Sequence, residues 1–325
     1  MKTSNLPALA LALLAALALS SPATAQTTRG PLRIIVPTDA GAGTDNFVRT
    51  GQAALTKALG GRAVLIDNQP AAAGIVGTQM LVRSAPDGNT IMVVSNNHVV
   101  LPNVYKKMTY DVIKDITPIG MLGGVPLLLV TNPSKTPAKD ASELVSYLRT
   151  NPEKFNFGSS GNGTVIHLAS KMFLDNAKLN IKHIPYKGVS PQIAALISGD
   201  VDFAILALSA ASGFIKSGHL RPVAVMGASR VQSLPEVKTL AEQGFAGIDE
   251  AGWFVVIGPA GLPASESRPI LEAFRAAYTS PEMLDSMARQ HNYVKIQSSE
   301  DAARFLQAQL EKYAAAAKSA GLEAE

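Results

Sequence analysis

The sequence predicts an α/β protein with two lobes, and three observations support that prediction. Short apolar runs rich in β-branched residues alternate with helical patterns from residue 32 almost to the end of the 325-residue chain. Such alternation is typical of largely parallel sheets with helices between the strands. Two segments about 120 residues apart also share one pattern, which is a strand, a glycine-rich loop and a helix. Finally, two apolar strands flanked by Pro and Gly residues would cross between the lobes.

Each predicted element has either a continuous apolar run or a helical spacing of apolar residues. The expected strands are Leu32–Val36, Val64–Asp67, Thr90–Val94, Leu127–Asn132, Phe155–Gly158, Ile181–Pro185, Val201–Ala204, Arg221–Met226 and Trp253–Gly258. The expected helices are Phe47–Leu59, Ile75–Val82, Ala141–Asn151, Val165–Leu174, Gln192–Ser198, Ala210–Lys216, Glu266–Tyr278 and Glu300–Ala320.

The lobe boundaries are expected where a continuous apolar strand meets Pro and Gly residues. These signals lie in residues 118–137 and 249–263. A chain that crosses at both places predicts a first lobe of residues 27–128 plus 250–325 and a second lobe of residues 129–249. Lobes joined by crossing strands can move about those strands as a hinge.

Residues 1–25 have the pattern of a secretory signal peptide. Lys2 precedes an apolar Ala/Leu run from Ala8 to Leu19, and the small-residue pattern Ala23-Thr24-Ala25 follows as a cleavage site. The run is shorter than the about 20 residues of a transmembrane helix. We therefore expect a mature chain that begins near Gln26 and resides in the periplasm.

The composition excludes several classes of site. The chain has no cysteine, so it has no disulfide framework, thiolate nucleophile or cysteine-linked lipid anchor. Its formal charge of +4 comes from acidic and basic residues that alternate without a Lys/Arg cluster. Nucleic acid binding is therefore not expected, and the composition fits a globular monomer.

The two glycine-rich loops indicate an anion site. The first is 38–45, T-D-A-G-A-G-T-D, and the second is 158–164, G-S-S-G-N-G-T. A helix that follows such a loop presents unpaired N–H groups and a partial positive charge at its N-terminus. Glycine also lets the backbone approach a ligand closely. Two such loops predict one small anion held between the lobes.

Enzyme motifs fail at both loops. Neither loop carries the lysine of a P-loop, and the dinucleotide-binding pattern fails at Asn46 and at Ile166. The hydrolase elbow pattern fails at Asn162, and the five histidines show no metal-ligand spacing. The sequence thus predicts a binding protein with no catalytic residues and no cofactor.

Ten short blocks carry a resemblance to a known family. They are Ile34–Pro37 with Gly43–Asp45, Asn68–Pro70 with Gly74 and Gly77, Ala85–Thr90, Tyr110 to Asp115, 158–164, His167–Ala169, Pro185–Gly188, Gly199–Asp202, Leu234–Val237 with Thr239, and Pro259–Pro263. Any one block is weak, but ten in order at the family's spacing are specific. On these blocks the chain resembles the Bug family, the periplasmic solute receptors of tripartite tricarboxylate transporters.

The resemblance implies a two-lobed type II periplasmic binding protein, a Venus-flytrap fold that closes on a small carboxylate. Family receptors deliver the ligand to membrane permease subunits, and their ligands include di- and tricarboxylates, acidic amino acids and aromatic acids. The ligand-binding positions that carry over are Gly43, Thr44 and Asp45 in the first loop, and Ser160, Asn162, Gly163 and Thr164 in the second. The segment 95–98, with Ser95, Asn97 and His98, would form a third wall.

Three departures from the family pattern concern the ligand type. The first loop lacks the family's Pro and paired Gly, Ile75 replaces an Asn, and Leu206 stands where many members place a ligand-contacting Asp. If Leu206 faces the ligand, the site favours an aromatic mono- or dicarboxylate or an apolar diacid; the alternative is that its strand faces the core. The leading role is uptake, and the alternative is a ligand-sensing partner of a membrane sensor kinase. Both roles need only closure around a ligand.

Overall fold

The computed structural model describes residues 29–319. The predicted signal peptide, residues 1–25, lies outside these residues. Within the described residues, those from Pro31 onwards form one compact unit. Within the described range, every helix is either too short or too polar to cross a membrane.

Ten strands alternate with helices along the described residues. The strands are β1 (Leu32–Val36), β2 (Val64–Asn68), β3 (Thr90–Val94), β4 (Ile116–Thr131), β5 (Asn156–Ser159), β6 (Lys182–Pro185), β7 (Phe203–Ala207), β8 (Arg221–Val225), β9 (Ala251–Pro259) and β10 (Tyr293–Gln297). The α-helices are α1 (Gly43–Ala58), α2 (Ile75–Val82), α3 (Asn97–Val100), α4 (Ala141–Thr150), α5 (Val165–Asn176), α6 (Val189–Ser198), α7 (Leu208–Lys216), α8 (Ala264–Tyr278), α9 (Pro281–Arg289) and α10 (Ser299–Ser319).

The strands form two halves that share β4. In the first half the order is β2-β1-β3-β9-β4, with β10 also paired to β4. In the second half the order is β4-β7-β5-β6, with β8 also paired to β4. β1 runs parallel to β2 and β3, and β5 runs parallel to β6 and β7. We refer to these halves as the first and the second lobe.

The strand β4 crosses from one lobe to the other in the middle of its length. Its residues Ile116 to Pro126 pair with β9, whereas Leu127 to Thr131 pair with β7. The change of partner therefore falls between Pro126 and Leu127, close to the predicted boundary after residue 128. The exact limits of the lobes stay a prediction.

The core of the first lobe is built around α1. Phe47 on this helix packs on Phe254 of β9 and on Tyr278 of α8, with ring centroids 4.7 and 5.0 Å apart. All three rings are buried. A Cβ atom on Gly51 would lie 2.2 Å from Cζ of Tyr278, so only glycine lets α1 and α8 approach this closely. This packing fixes α1 behind the cleft.

A buried polar network joins the start of β9 to the last helix. Glu250 is 1% exposed; its carboxylate accepts from Tyr313 Oη at 2.7 Å and pairs with Lys312 Nζ at 2.9 Å. Asn96 Nδ2 donates to Tyr313 Oη at 2.7 Å and to the Ala251 carbonyl at 3.0 Å. The network compensates a buried charge with hydrogen bonds and an ion pair.

Three elements were not predicted from the sequence. They are the short helix α3, the helix α9 at 281–289 and the strand β10 at 293–297. β10 is partly exposed and pairs only with the glycine-rich part of β4. α9 has only Met287 fully buried, so its apolar signal is weak.

Candidate functional site

A cleft between the lobes contains two adjoining chambers of about 430 and about 80 Å³. Thr38, Asn97, Ser160 and Val189 line both of them. The outer chamber is lined by Pro37–Asp39, Pro70–Ala73, Asn97, Tyr105, Ser160–Asn162, Thr164 and Tyr186–Val189. The inner chamber is lined by Thr38, Ala42–Thr44, Ser95–Asn97, Val125, Leu127, Ser160, Val165, Ile166, Val189, Ala207, Ala210, Gly252 and Phe254.

Four helix N-termini converge on these chambers. The residues that precede α1, α5, α6 and α7 are Ala42, Thr164, Gly188 and Ala207, and each of them lines a chamber. Only Thr164 has a side chain able to cap its helix; its Oγ1 accepts from the His167 N–H at 3.3 Å. The uncapped N–H groups of α1 and α7, together with the dipoles of all four helices, give the cleft a positive potential that suits an anion.

Two buried hydroxyl groups lie close to the inner chamber: Thr38 lines it, and Ser209 is next to Gly43, which lines it. Thr38 Oγ1 and Ser209 Oγ are buried without a hydrogen-bond partner among the residues that the structure describes. Ser209 Oγ lies 3.5 Å from the position that a Cβ atom on Gly43 would occupy, at the meeting point of α1 and α7. A buried unpaired hydroxyl costs about 1–3 kcal/mol, which a ligand oxygen would recover.

The first loop contributes two predicted residues to the chamber surface and one behind it. Gly43 and Thr44 line the inner chamber. Asp45 is 1% exposed, and its carboxylate accepts from the Gly41 N–H at 2.8 Å, from Arg49 Nε at 2.8 Å and from Asn68 Nδ2 at 2.9 Å. Asp45 therefore holds the loop and the first turn of α1 in place, and it lines neither chamber, unlike the other two predicted residues of this loop.

The second loop brings three of its four predicted residues to the chambers. Ser160, Asn162 and Thr164 line the outer chamber, and Ser160 reaches the inner one as well. Gly163 instead faces the first lobe, because a Cβ atom on it would lie 2.3 Å from Cγ2 of Val104. Its φ of +67° is also a conformation that favours glycine.

A stack of aromatic rings holds the second loop through hydrogen bonds to Ser159 and Gly163. His167 and His183 stack at 3.9 Å between centroids, and Phe157 stacks on His183 at 4.7 Å. The Gly163 N–H donates to His167 Nδ1 at 3.2 Å, and His183 Nε2 lies 2.6 Å from Ser159 Oγ. Burial lowers the pKa of His167 to about 4 and that of His183 to about 3. Neutral histidines therefore hold the loop in shape.

The third wall is present, but His98 lies behind it. Ser95 and Asn97 line the inner chamber, and Asn97 Oδ1 accepts from the Val165 N–H at 2.8 Å across the cleft. His98 is 5% exposed, and its Nε2 donates to the Val112 carbonyl at 2.8 Å. It borders only a cavity of about 10 Å³, too small for a ligand. Burial lowers the pKa of His98 to about 4.

Leu206 and Ile75, the two apolar residues that depart from the family pattern, lie in the core and not at the chambers. Leu206 is fully buried and packs with Leu128, Val130 and other residues of the second lobe. Its neighbour Ala207 faces the inner chamber, because successive residues of a strand point to opposite sides. Ile75 packs with Leu101 and Val104 at the start of α2. The apolar lining of the cleft comes from other residues, among them Val125, Leu127 and Phe254.

Four of the residues that line the outer chamber but were not predicted as site residues carry a charged or aromatic side chain. They are Asp39, Tyr105, Tyr186 and Lys187. Tyr186 and Lys187 belong to a block that carries the family resemblance, and Asp39 belongs to the unusual first loop, so both signals were present in the sequence. Ala72 and Ala73 join them with φ values of +52° and +55°. Two successive strained alanines on one chamber wall mark this turn as part of the site.

The buried histidines predict a loss of stability at mildly acidic pH. In the unfolded chain each histidine titrates near 6.5, whereas His98 has a pKa of about 4 in the folded protein. The unfolded state therefore binds more protons, and the free energy of unfolding should fall as pH drops from about 6.5 towards 4. For His98 the loss is about 3 kcal/mol at full protonation.

Urea unfolding at pH 7.5, 6.0 and 5.0 measures this effect. The variant His98→Gln keeps an amide donor for the Val112 carbonyl but has no titrating group, so its stability should depend less on pH. A wild-type stability that is constant over this range would contradict the prediction.

The geometry of the cleft agrees with what sequence comparison finds. The family described as "Tripartite tricarboxylate transporter family receptor" matches residues 47–322. The chain belongs to this family. Two relatives from Bordetella pertussis support the assignment. A UPF0065 protein is 32% identical over 90% of this chain and 90% of its own length. The protein BugT is 32% identical over 77% of this chain and 81% of its own length.

Solved structures of family receptors share the fold. The periplasmic binding protein BugD superposes with a TM-score of 0.86 at 27% identity, covering 91% of this chain and 99% of BugD. An R. palustris protein, in a structure with adipate, superposes with a TM-score of 0.87 at 28% identity, covering 91% of this chain and 98% of that protein. The two-lobed periplasmic binding protein fold predicted from the sequence is thereby confirmed, and the chain is a solute-binding receptor and not an enzyme.

Proposed function

We propose that this receptor captures a small carboxylate between its lobes and delivers it to the permease subunits of a tripartite tricarboxylate transporter. The convergence of four helix N-termini on one cleft is the observation that carries the proposal. Such termini favour a compact anion, and the hydroxyl groups of Thr38 and Ser209 add donors for its oxygens. Membership of the family supports delivery to a permease and a periplasmic location.

We further propose that the preferred carboxylate has an apolar body. Val125, Leu127, Val165, Ile166 and Phe254 line the inner chamber beside its polar groups. A polyhydroxylated acid would lose water there without enough replacement hydrogen bonds. The R. palustris structure with adipate supports an aliphatic acid, and the size of the outer chamber also admits an aromatic ring.

Thermal unfolding with a panel of acids tests the proposal. A ligand that binds only the folded receptor stabilises it by about 2.7 kcal/mol at a hundredfold excess over Kd, which raises the melting temperature by several degrees. The panel comprises hexanoate, adipate, benzoate, the phthalate isomers, citrate, aspartate and glutamate. Sodium chloride at matched ionic strength is the control.

We expect hexanoate, adipate or an aromatic acid to raise the melting temperature, while chloride does not. Stabilisation by citrate or an amino acid alone would contradict the apolar preference. A melting temperature that no acid in the panel changes would contradict carboxylate capture itself.

A further inference from the structure

One helix N-terminus of the cleft is already occupied by a carboxylate of the chain itself. Asp39 belongs to the first lobe and lines the outer chamber. Its carboxylate lies against Gly188 and beside Val189, which are the residue before α6 and the first residue of α6 in the second lobe. The geometry resembles a bound anion at a helix N-terminus, except that the anion is an aspartate side chain.

Gly188 makes room for this contact. A Cβ atom on Gly188 would lie 1.5 Å from Oδ2 of Asp39, and the φ of Gly188 is +109°. The carboxylate of Asp39 therefore occupies the space that a side chain at position 188 would fill. Because the two residues belong to different lobes, this contact joins the lobes across the cleft.

The position of the Asp39 carboxylate affects the charge of the cleft. Partial burial raises the pKa of Asp39, and the nearby N–H of Val189 opposes that rise without cancelling it. Lys187 also lines the outer chamber, but its side chain is exposed, so water screens its ammonium group. The inner chamber is lined by no acidic or basic residue among those described.

We propose that Asp39 determines specificity by restricting the receptor to ligands with one carboxylate. The ligand's carboxylate would bind at the uncapped N-termini of α1 and α7, and its body would extend towards the outer chamber. A second carboxylate at that end would meet the fixed negative charge of Asp39 and find the α6 terminus taken. This inference rests on the proposed carboxylate function and narrows it.

Hexanoate and adipate form a matched pair of probes, because they share a chain length and differ by one carboxylate. Isothermal titration calorimetry of the full mature chain should give at least tenfold tighter binding of hexanoate than of adipate. The variant Asp39→Asn keeps an oxygen for the Val189 N–H while removing the charge. It should bind adipate at least tenfold more tightly than the wild type does, with a much smaller change for hexanoate.

Benzoate and terephthalate repeat the comparison for aromatic ligands. The control Glu153→Gln makes the same charge change at an exposed position outside the cleft and should leave the ratio of affinities unaltered. Circular dichroism confirms that each variant is folded.

If Asp39→Asn leaves the ratio of hexanoate affinity to adipate affinity unchanged, the inference is wrong, whereas the proposed carboxylate function is unaffected. Tight adipate binding by the wild type that Lys187→Met abolishes would also overturn it, since Lys187 would then hold the second carboxylate. If neither the wild type nor Asp39→Asn binds any of the four acids, this inference fails, and the thermal unfolding panel then decides whether the proposed function fails as well.

Discussion

Replacing Gly43 by valine should reduce carboxylate affinity at least a hundredfold while the protein stays folded. Gly43 is the first residue of α1 and lines the inner chamber. A Cβ atom there would lie 3.2 Å from Cβ of Ala207 and 3.4 Å from Cγ1 of Val125. The two further methyl groups of valine would fill the anion's approach and hold α1 and α7 apart. A hundredfold loss corresponds to about 2.8 kcal/mol.

Two matched variants accompany this measurement by calorimetry. Gly43→Ala adds only the tight Cβ contact and should weaken binding by a smaller factor. Gly213→Val makes the same substitution within α7, where a Cβ atom would have no neighbour within 4 Å. Its affinity should match the wild type. Wild-type affinity in Gly43→Val would mean that the ligand binds elsewhere.

Replacing Gly163 by alanine should weaken binding at least tenfold through the closure of the cleft. A Cβ atom at this position would lie 2.3 Å from Cγ2 of Val104, which belongs to the opposite lobe. The φ of +67° adds strain that is independent of closure. The closed form would then be a smaller fraction of the molecules, and the apparent Kd would rise in proportion.

A double-mutant cycle separates the contact from the backbone strain. Val104→Ala removes the atom that clashes most, so Gly163→Ala combined with Val104→Ala should recover part of the affinity. Small-angle scattering with and without ligand reports closure directly. If the double variant binds no better than Gly163→Ala alone, the loss comes from the loop and not from the contact between lobes.

The elements around the site could be predicted because their signals are local. Buried parallel strands such as β1 and β3 give continuous apolar runs, and the two glycine loops announce the helices that follow them. The first half of β4 gave no such continuous run, because Gly120, Gly123, Gly124 and two prolines interrupt it; the segment was predicted as a lobe boundary, and its strand was expected to begin only at Leu127. These glycines instead admit β10, because a Cβ atom on Gly123 would lie 2.0 Å from the Tyr293 carbonyl. Their meaning depends on a strand that comes 170 residues later in the chain.

The site residues show the same division between local and distant information. The loops that hold Thr44, Ser160 and Thr164 follow from the pattern of strand, loop and helix. The choice between Leu206 and Ala207 depends on which side of β7 faces the core, and a shift of one residue exchanges the two sides. The position of the Asp39 side chain depends on its contact with Gly188 in the other lobe. No local sequence pattern contains that contact.

The hydrogen bond between Asn96 and Tyr313 indicates when the cleft is completed during folding. Asn96 lines the inner chamber, and its amide is held by a residue 217 positions later in the chain. A growing chain therefore has both glycine loops well before it has the helix that fixes the wall between them. Contacts of such long range form late because the loop they close is large. The ligand cleft is thus completed only with the last helix, and a chain that ends before Tyr313 lacks the partner that sets its wall.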